Sequence, residues 1–535
     1  MSNVRNLFDD ASFAKKPDEL NRAGYESYSK SLEEKYLQLI LTNQLGNTFY
    51  ADRHKILNES IELHQAIFEK DPEFMAKALR YARNKGFMRT QTALGLSILS
   101  KNPAIFAKVF ADIILIPDDL SDFMTMIKSQ GRGEGGRAIH RAVSRFFNEK
   151  MTEYWAIKYA SANRSHGYDL GDMLITHHVK APKDDEVKQA LFKYLVLRSA
   201  ITQKSSKKKQ ESAKAQMEQF KLEKLHLLPQ VEAYEKLKDS ESVEEQINLI
   251  TDGKLPMEVV TQAVTMTPSH WQALMKQMPI TALIRNLETL SRHNVLENNR
   301  EYIHSRITDE VALEKGKILP YNLLKAFNKV TAPWVKDGLR LAVEKSMSNI
   351  PDIPGQTAIF FDVSSSMWGD EMFMTGAIFT YALHRKTQGN GVAWAFNRAV
   401  YDMNPSSMDT ILTQAQNATN EHAKSVYRNT DGTDTGAPVS RLISMDKKVD
   451  NIIIITDEQQ NTGRPFYKEF LRYRNNLNRG TKAFIIDVSP YQNAVTPKED
   501  GVYYIYGWSD KVLNFISMAS EGFDSMSQFI HQQEL

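Results

Sequence analysis

The chain has 535 residues, of which 42% are hydrophobic and 25% charged, with a formal net charge of +2 and no cysteine. That length exceeds one core and implies two or three domains; the absence of cysteine excludes disulfides, thiolate zinc sites and cysteine nucleophiles. No apolar run of about 18 residues is present to span a membrane, and Met1 to Arg5 carry no apolar signal core; the lack of cysteine fits a reducing cytoplasm, the expected location.

Residues 1–30 are polar and aperiodic and read as an N-terminal arm. From Leu32 the pattern is helical, with Leu32, Tyr36, Leu39 and Ile40 on one face. Asp71-Pro72 and Asn102-Pro103 are helix starts, an N-cap side chain followed by proline in the first turn. Helical patterns joined by short loops continue to about residue 345, giving an all-α array of paired antiparallel helices over residues 31–350. A charged stretch at 202–224, with Lys204 and Lys207 to Lys209, reads as an exposed loop leading into a solvated helix.

Two places in this array carry cations in a pattern. The glycine-rich loop from Arg132 to Gly136 precedes a helix in which Arg137, Arg141 and Arg145 fall at i, i+4 and i+8 with His140 beside them. That spacing makes one basic stripe, and guanidinium groups suit phosphates because they bond them bidentately. Further on, a short helix ends in His177, His178 and Lys180. Adjacent histidines point apart and make a poor chelate, and cations at a helix C-terminus also have a plain explanation in the helix dipole. Residues 1–350 hold 51 Lys+Arg against 44 Asp+Glu, whereas 351–535 hold 16 against 21. The basic excess therefore favours an anionic partner for the N-terminal part.

Pro351-Asp352-Ile353-Pro354-Gly355 is a breaker cluster. Beyond it, strands at 357–362, 391–396, 450–456, 482–487 and 502–506 alternate with helices, which predicts a doubly wound parallel α/β sheet over 351–535. The first strand runs into Asp362, Ser364 and Ser366. A second buried strand ends at Asp457, and Asp431-Gly432-Thr433-Asp434 forms a turn between them. Strand ends of such sheets are where ligands bind, and carboxylate and hydroxyl oxygens are the hard donors that Mg²⁺, Mn²⁺ or Ca²⁺ prefer. The plain alternative is a serine-rich helix cap after a buried strand.

Taken together, Asp362, Ser364, Ser366, Thr433 and Asp457 resemble the metal-ion-dependent adhesion site of von Willebrand factor A domains, with Mg²⁺ as the first expectation and Mn²⁺ or Ca²⁺ as others. The order of segments resembles the Ro autoantigen family. It runs from Thr42–Tyr50 through Arg132-Gly133 and the basic helix to the His-x-Lys-x-Pro loop. Met278 to Leu287, Ile318 to Tyr321 and the A domain follow. The N-terminal part of that family is the TROVE domain. The resemblance implies a monomeric, HEAT-like ring of helical repeats closed by the A domain. It implies binding of small structured Y-like noncoding RNA on the outer face and of single-stranded ends of misfolded RNA in the cavity. RNA quality control or decay, with possible tethering to an exoribonuclease, follows from it too. It maps the family's histidine and lysine onto His178 and Lys180. The chain departs from the family at Tyr168-Asp169-Leu170, where Trp-Ser-His is common, at Ile175, where a basic residue follows, and in an extra Ala181 before Pro182.

The expectation is a non-catalytic RNA-binding scaffold. Its RNA contacts are Arg132, Arg137, His140, Arg141, Arg145, His178 and Lys180. The competing class is an A-domain protein-interaction scaffold without RNA; a metal-dependent hydrolase is disfavoured because no nucleophile–base pair or two-metal site is evident.

Overall fold

The computed structural model describes residues 15–42, 53–133, 135–160, 169–202, 207–316, 318, 320–347, 352–489, 491–497, 499–507, 516 and 525–535. The motif residues Thr42–Tyr50 after the first of them, Ser165–Tyr168, Glu134 and Lys204 lie outside these. The chain forms two compact units. One is the helical stretch Thr92–Ile307 with Val330–Ala332. The other joins the residues up to Gln91 to Thr308–Lys329 and Pro333 onward. The breaker cluster at 351–355 separates helices from strands, but the compact units divide elsewhere, because the first helices pack with the C-terminal strands.

The helix starts follow the capping logic of the sequence. Asp71 accepts from Phe74 N at 2.8 Å with Pro72 in the first turn, and Phe74, Met75, Ala78, Leu79 and Ala82 are buried. Asn102 caps its helix through Ile105 N at 3.3 Å. Each cap satisfies one of the unpaired first-turn amides, worth about 1 kcal/mol. The charged stretch differs from its expectation. Its helix, Lys207–Glu223, is not merely solvated: Ala213, Met217 and Phe220 are buried, with Phe220 against Tyr194 at 6.3 Å between ring centroids. Three apolar residues at i, i+4 and i+7 suffice for one face, and the surrounding charges mask them.

The C-terminal part is built on strands β3 (Thr357–Asp362), β4 (Gly391–Phe396), β5 (Val400–Asp402), β6 (Asn451–Thr456), β7 (Lys482–Asp487) and β9 (Val502–Tyr506). They form one sheet in the order β5-β4-β3-β6-β7-β9, parallel except for β5. The five predicted strands are all present; β5 is an addition. β3 and β6 are buried throughout, which is why they read as unbroken apolar runs. The chain leaves β3 toward β4 on one side and returns to β6 on the other. The carboxyl ends of β3 and β6 are therefore the switch point of a doubly wound sheet.

Residues 15–30, expected as an arm, are ordered differently. β1 (Glu19–Leu20) and β2 (Glu26–Ser29) pair antiparallel, and β2 pairs with β8 (Asn493–Ala494), setting Tyr28 opposite Ala494. Tyr28 packs edge-on against Tyr467 at 5.5 Å. These strands are too short and too polar to show a period of two in the sequence.

Candidate functional site

At the switch point the five proposed cation-binding residues are all buried: Asp362 and Asp457 have no exposure, and Thr433, Ser364 and Ser366 have 1%, 3% and 4%. The loop after β3 curls so that Ser364 N donates to Asp362 Oδ1 at 2.9 Å and the Ser364 and Ser366 hydroxyls meet at 3.2 Å. The neighbouring strand closes the other side, with Thr456 Oγ1 donating to Asp362 Oδ2 at 2.7 Å. The turn at 431–433 is tied to the same end by Ser365 Oγ on Asp431 at 2.7 Å, and by Thr433 N on Asn461 Oδ1 at 2.8 Å. Burial raises the Asp362 carboxyl above its usual range. Burial raises Asp457 too, and the nearby Asp362 charge adds to it. Asp457 Oδ1 accepts from Gln459 N at 3.1 Å, while Oδ2 is buried without a hydrogen bond. Two buried carboxylates, one oxygen of them unmatched, and two adjacent hydroxyls fit a small divalent cation, which would offset their shared charge.

The second cluster lies in the helical unit. Gly135 and Gly136, at φ 86° and 89°, lead into the helix Arg137–Lys150. The positive φ at Gly135 favours glycine, and a Cβ there would also crowd the Ile139 side chain, with Cδ1 at 2.2 Å. Ile139, Ala142, Val143, Phe146 and Phe147 are buried, and Arg137, Arg141 and Arg145 are exposed, as the spacing predicts. Arg145 is paired with Glu149 at 2.9 and 3.0 Å, an exposed i,i+4 pair worth no more than about 0.5 kcal/mol. Arg132 is half-buried, and its Nη1 donates to Ser97 O at 2.8 Å and to Ser100 Oγ at 2.6 Å, tying the loop to the end of the earlier helix Thr90–Leu99. His140 lies in the first turn of the basic helix. It is only partly exposed, and its Nδ1 lies 3.0 Å from Nδ1 of His177, which is buried.

That histidine pair joins the two cationic segments. The helix Leu170–Thr176 ends at His177. His178 follows at φ 52°, with Val179 N donating to Leu174 O at 3.0 Å, a left-handed helix stop normally filled by glycine. His178 and Lys180 are exposed. Asn148, on the basic helix, donates to Lys180 O at 3.2 Å. The Arg137/Arg141 stripe and the His178/Lys180 loop are thus held against each other. Sequence reasoning named His177 at the helix end but gave it no role; its partner, 37 positions away, gives no local signal.

The same unit holds a cleft of ≈ 980 Å³ whose lining includes Tyr154, Lys158, Lys254, Lys276, Arg285 and Asn286. Lys158 is paired with Glu258 at 3.0 Å. Part of the Met278 to Leu287 motif lines this space, at Met278, Pro279, Thr281, Ala282, Arg285 and Asn286.

Residues 38–348 match the TROVE domain family. The chain belongs to that family. Over 543 aligned residues it is 21% identical to the RNA-binding protein RO60 of Deinococcus radiodurans, covering 94% of this chain and 95% of that protein. It is 25% identical to the RNA-binding protein RO60 of Caenorhabditis elegans over 269 residues, 43% of this chain and 42% of the relative. The crystal structure of the Deinococcus radiodurans Ro protein superposes with a TM-score of 0.64 at 18% identity, covering 90% of this chain and 99% of that one. The shared fold of this TROVE protein is therefore a helical-repeat array followed by a mixed α/β sheet.

Proposed function

We propose that this TROVE protein is a non-catalytic RNA-binding scaffold. Structured, Y-like RNA is read by the Arg137/Arg141 stripe with the His178/Lys180 loop, and single-stranded ends of misfolded RNA enter the cleft beside Lys254, Lys276 and Arg285. The observation that carries it is the contact between the two exposed cationic segments, through His140–His177 and Asn148–Lys180. The relatives' names, both RNA-binding proteins, support the same reading. Phosphate contacts by Arg and Lys would supply affinity, and Tyr154 at the cleft offers a surface for an unpaired base. Lys180 and Arg137 would act as point charge and fork on neighbouring phosphates, and His178 would add a hydrogen bond. Asp362, Ser364, Ser366, Thr433 and Asp457 would hold Mg²⁺, or Mn²⁺ or Ca²⁺ in its place. A bound cation supplies a docking charge for an acidic group on a partner protein, the class in which a tethered exoribonuclease belongs.

RNA affinity measured across a salt series tests the surface. Each lost phosphate contact flattens the dependence of log affinity on log salt by about 0.7–0.9. Arg137→Ala with Arg141→Ala should therefore lower the slope by roughly 1.5. Unchanged affinity and slope would return both arginines to the role of solvated side chains and move the RNA contacts to Lys204–Lys209 or to the cleft, whereas a wild-type chain that retains no RNA would leave the protein-scaffold reading standing.

A further inference from the structure

The turn that carries Asp457 is fastened by the N-terminal segment. Asn21 Nδ2 donates to Gln460 O at 2.6 Å, and Arg22 N donates to Gln459 Oε1 at 2.8 Å. Gln459 passes the constraint on, donating to Asp457 O at 3.2 Å and to Asn493 Oδ1 at 2.7 Å. Between them stands Glu458, buried and held at φ 61°, a left-handed conformation that costs a non-glycine residue energy and persists only when its surroundings enforce it.

Lys30 is one of the groups that hold it there, together with Thr456, Asn493 and Val495. Its Nζ lies 2.6 Å from Glu458 Oε1 and 2.6 Å from Asp487 Oδ2, with side chains 2% and 0% exposed. The rings of Tyr504 and Tyr506 lie 4.7 and 5.1 Å from the ammonium. Asp487 also accepts from Gln38 Nε2 at 2.6 Å, and the second Glu458 oxygen accepts from Val495 N at 2.7 Å. Burial pulls the lysine toward neutrality, but Asp487 and Glu458 outweigh it and hold the ammonium charged. Removing one partner of such a group leaves a buried carboxylate without its counter-ion. Relief comes from protonating that carboxylate, which burial already favours at Glu458, or from turning it toward solvent; either releases the hold on the left-handed Glu458 backbone and on the adjoining peptide of Asp457.

We propose that the N-terminal segment is a clamp for the cation site. Lys30, assisted by Asn21 and Arg22, acts as a positioning residue that fixes the Asp457–Gln460 turn, and so aims the Asp457 carboxylate with Asp362, Ser364 and Ser366. The clamp rests on the reading of those oxygens as a cation site. It predicts that residues about 430 positions earlier in the chain tune cation affinity without touching the ion.

The test is calorimetric titration of the full chain with Mn²⁺, accompanied by the Mn²⁺ electron paramagnetic resonance spectrum, which reports the symmetry of the bound ion. Lys30→Met should weaken binding on the order of tenfold and broaden the spectrum, since groups that orient metal ligands are worth about 10–100-fold in affinity. Asn21→Ala should weaken it by a smaller factor. Leu442→Ala, a core truncation away from the clamp, serves as the control for general destabilisation and should bind as the wild type does. Wild-type affinity and spectrum in folded Lys30→Met would overturn the clamp, as would an equal loss in Leu442→Ala. Where Lys30→Met does not fold, Asn21→Ala against Leu442→Ala decides by the same criteria. A wild-type chain that takes up no Mn²⁺ would overturn the cation reading itself, and the clamp with it.

Discussion

His178 sits where a helix ends in the left-handed region, a position that glycine fills without strain. His178→Gly should therefore stabilise the folded chain by about 0.5–1 kcal/mol while weakening structured RNA, two effects separable by urea unfolding and a binding titration. His177 carries the pH dependence. Burial, then the neighbouring His140, holds its pKa down to about 4, against 6.5 for the free side chain. Below pH 6.5 the unfolded chain takes a proton that the folded one refuses, so stability falls as pH drops from 6.5 toward 4. Urea unfolding at pH 7 and pH 5 should show this, and His177→Gln should reduce the difference. It should not abolish it, because His64, buried between Tyr36 and Gln91, is held near 4 as well. The sequence made the arginine stripe legible because helical spacing alone decides which side chains share a face. It could not separate His177 from His178, nor show that Arg132 and His140 are turned inward, because Ser97, Ser100 and His177 lie roughly 30–40 positions from them.

At the scale of single elements, the strands of the large sheet were readable because burial on both faces leaves unbroken apolar runs such as Ile452 to Ile455. The carboxylates that end those runs marked the proposed cation-binding end for the same reason. β1, β2 and β8 were not readable: they hold two to four residues each, and the β2–β8 pairing joins opposite ends of the chain. The helix Lys207–Glu223 is the opposite case, an element visible in the sequence whose attachment is not. Phe220→Ala should cost about 3 kcal/mol and undock this helix from Glu186–Thr202. Hydrogen exchange should then quicken across 207–223, while the helix Arg137–Lys150 keeps its protection.

For the molecule as a whole, the sequence placed the change from helices to strands at 351–355, and that is where the secondary structure changes. Compactness follows a different line, because Lys30, Gln38 and Tyr28 fill places inside the C-terminal fold. A fragment spanning 352–535 should consequently fold poorly. Without Lys30 the buried Glu458 and Asp487 have no counter-ion, and Tyr467 and Ala494 lose their cover. Fusing residues 15–91 to that fragment should raise its melting temperature by calorimetry; a fragment that melts as the intact unit does would make the N-terminal residues dispensable.

The pairing of Lys30 with Asp487 spans 457 positions, and Lys77 likewise reaches His531 O at 2.9 Å. At about 5–20 residues per second, a ribosome needs roughly 20–90 s to deliver Asp487 after Lys30 has emerged. Throughout that interval the edge of β2 and the apolar faces of the first helices await their partners, a kinetic exposure that the intervening helices, with their local contacts, do not share. Holding capacity from chaperones during synthesis should thus matter more for the ends of this chain than for its middle.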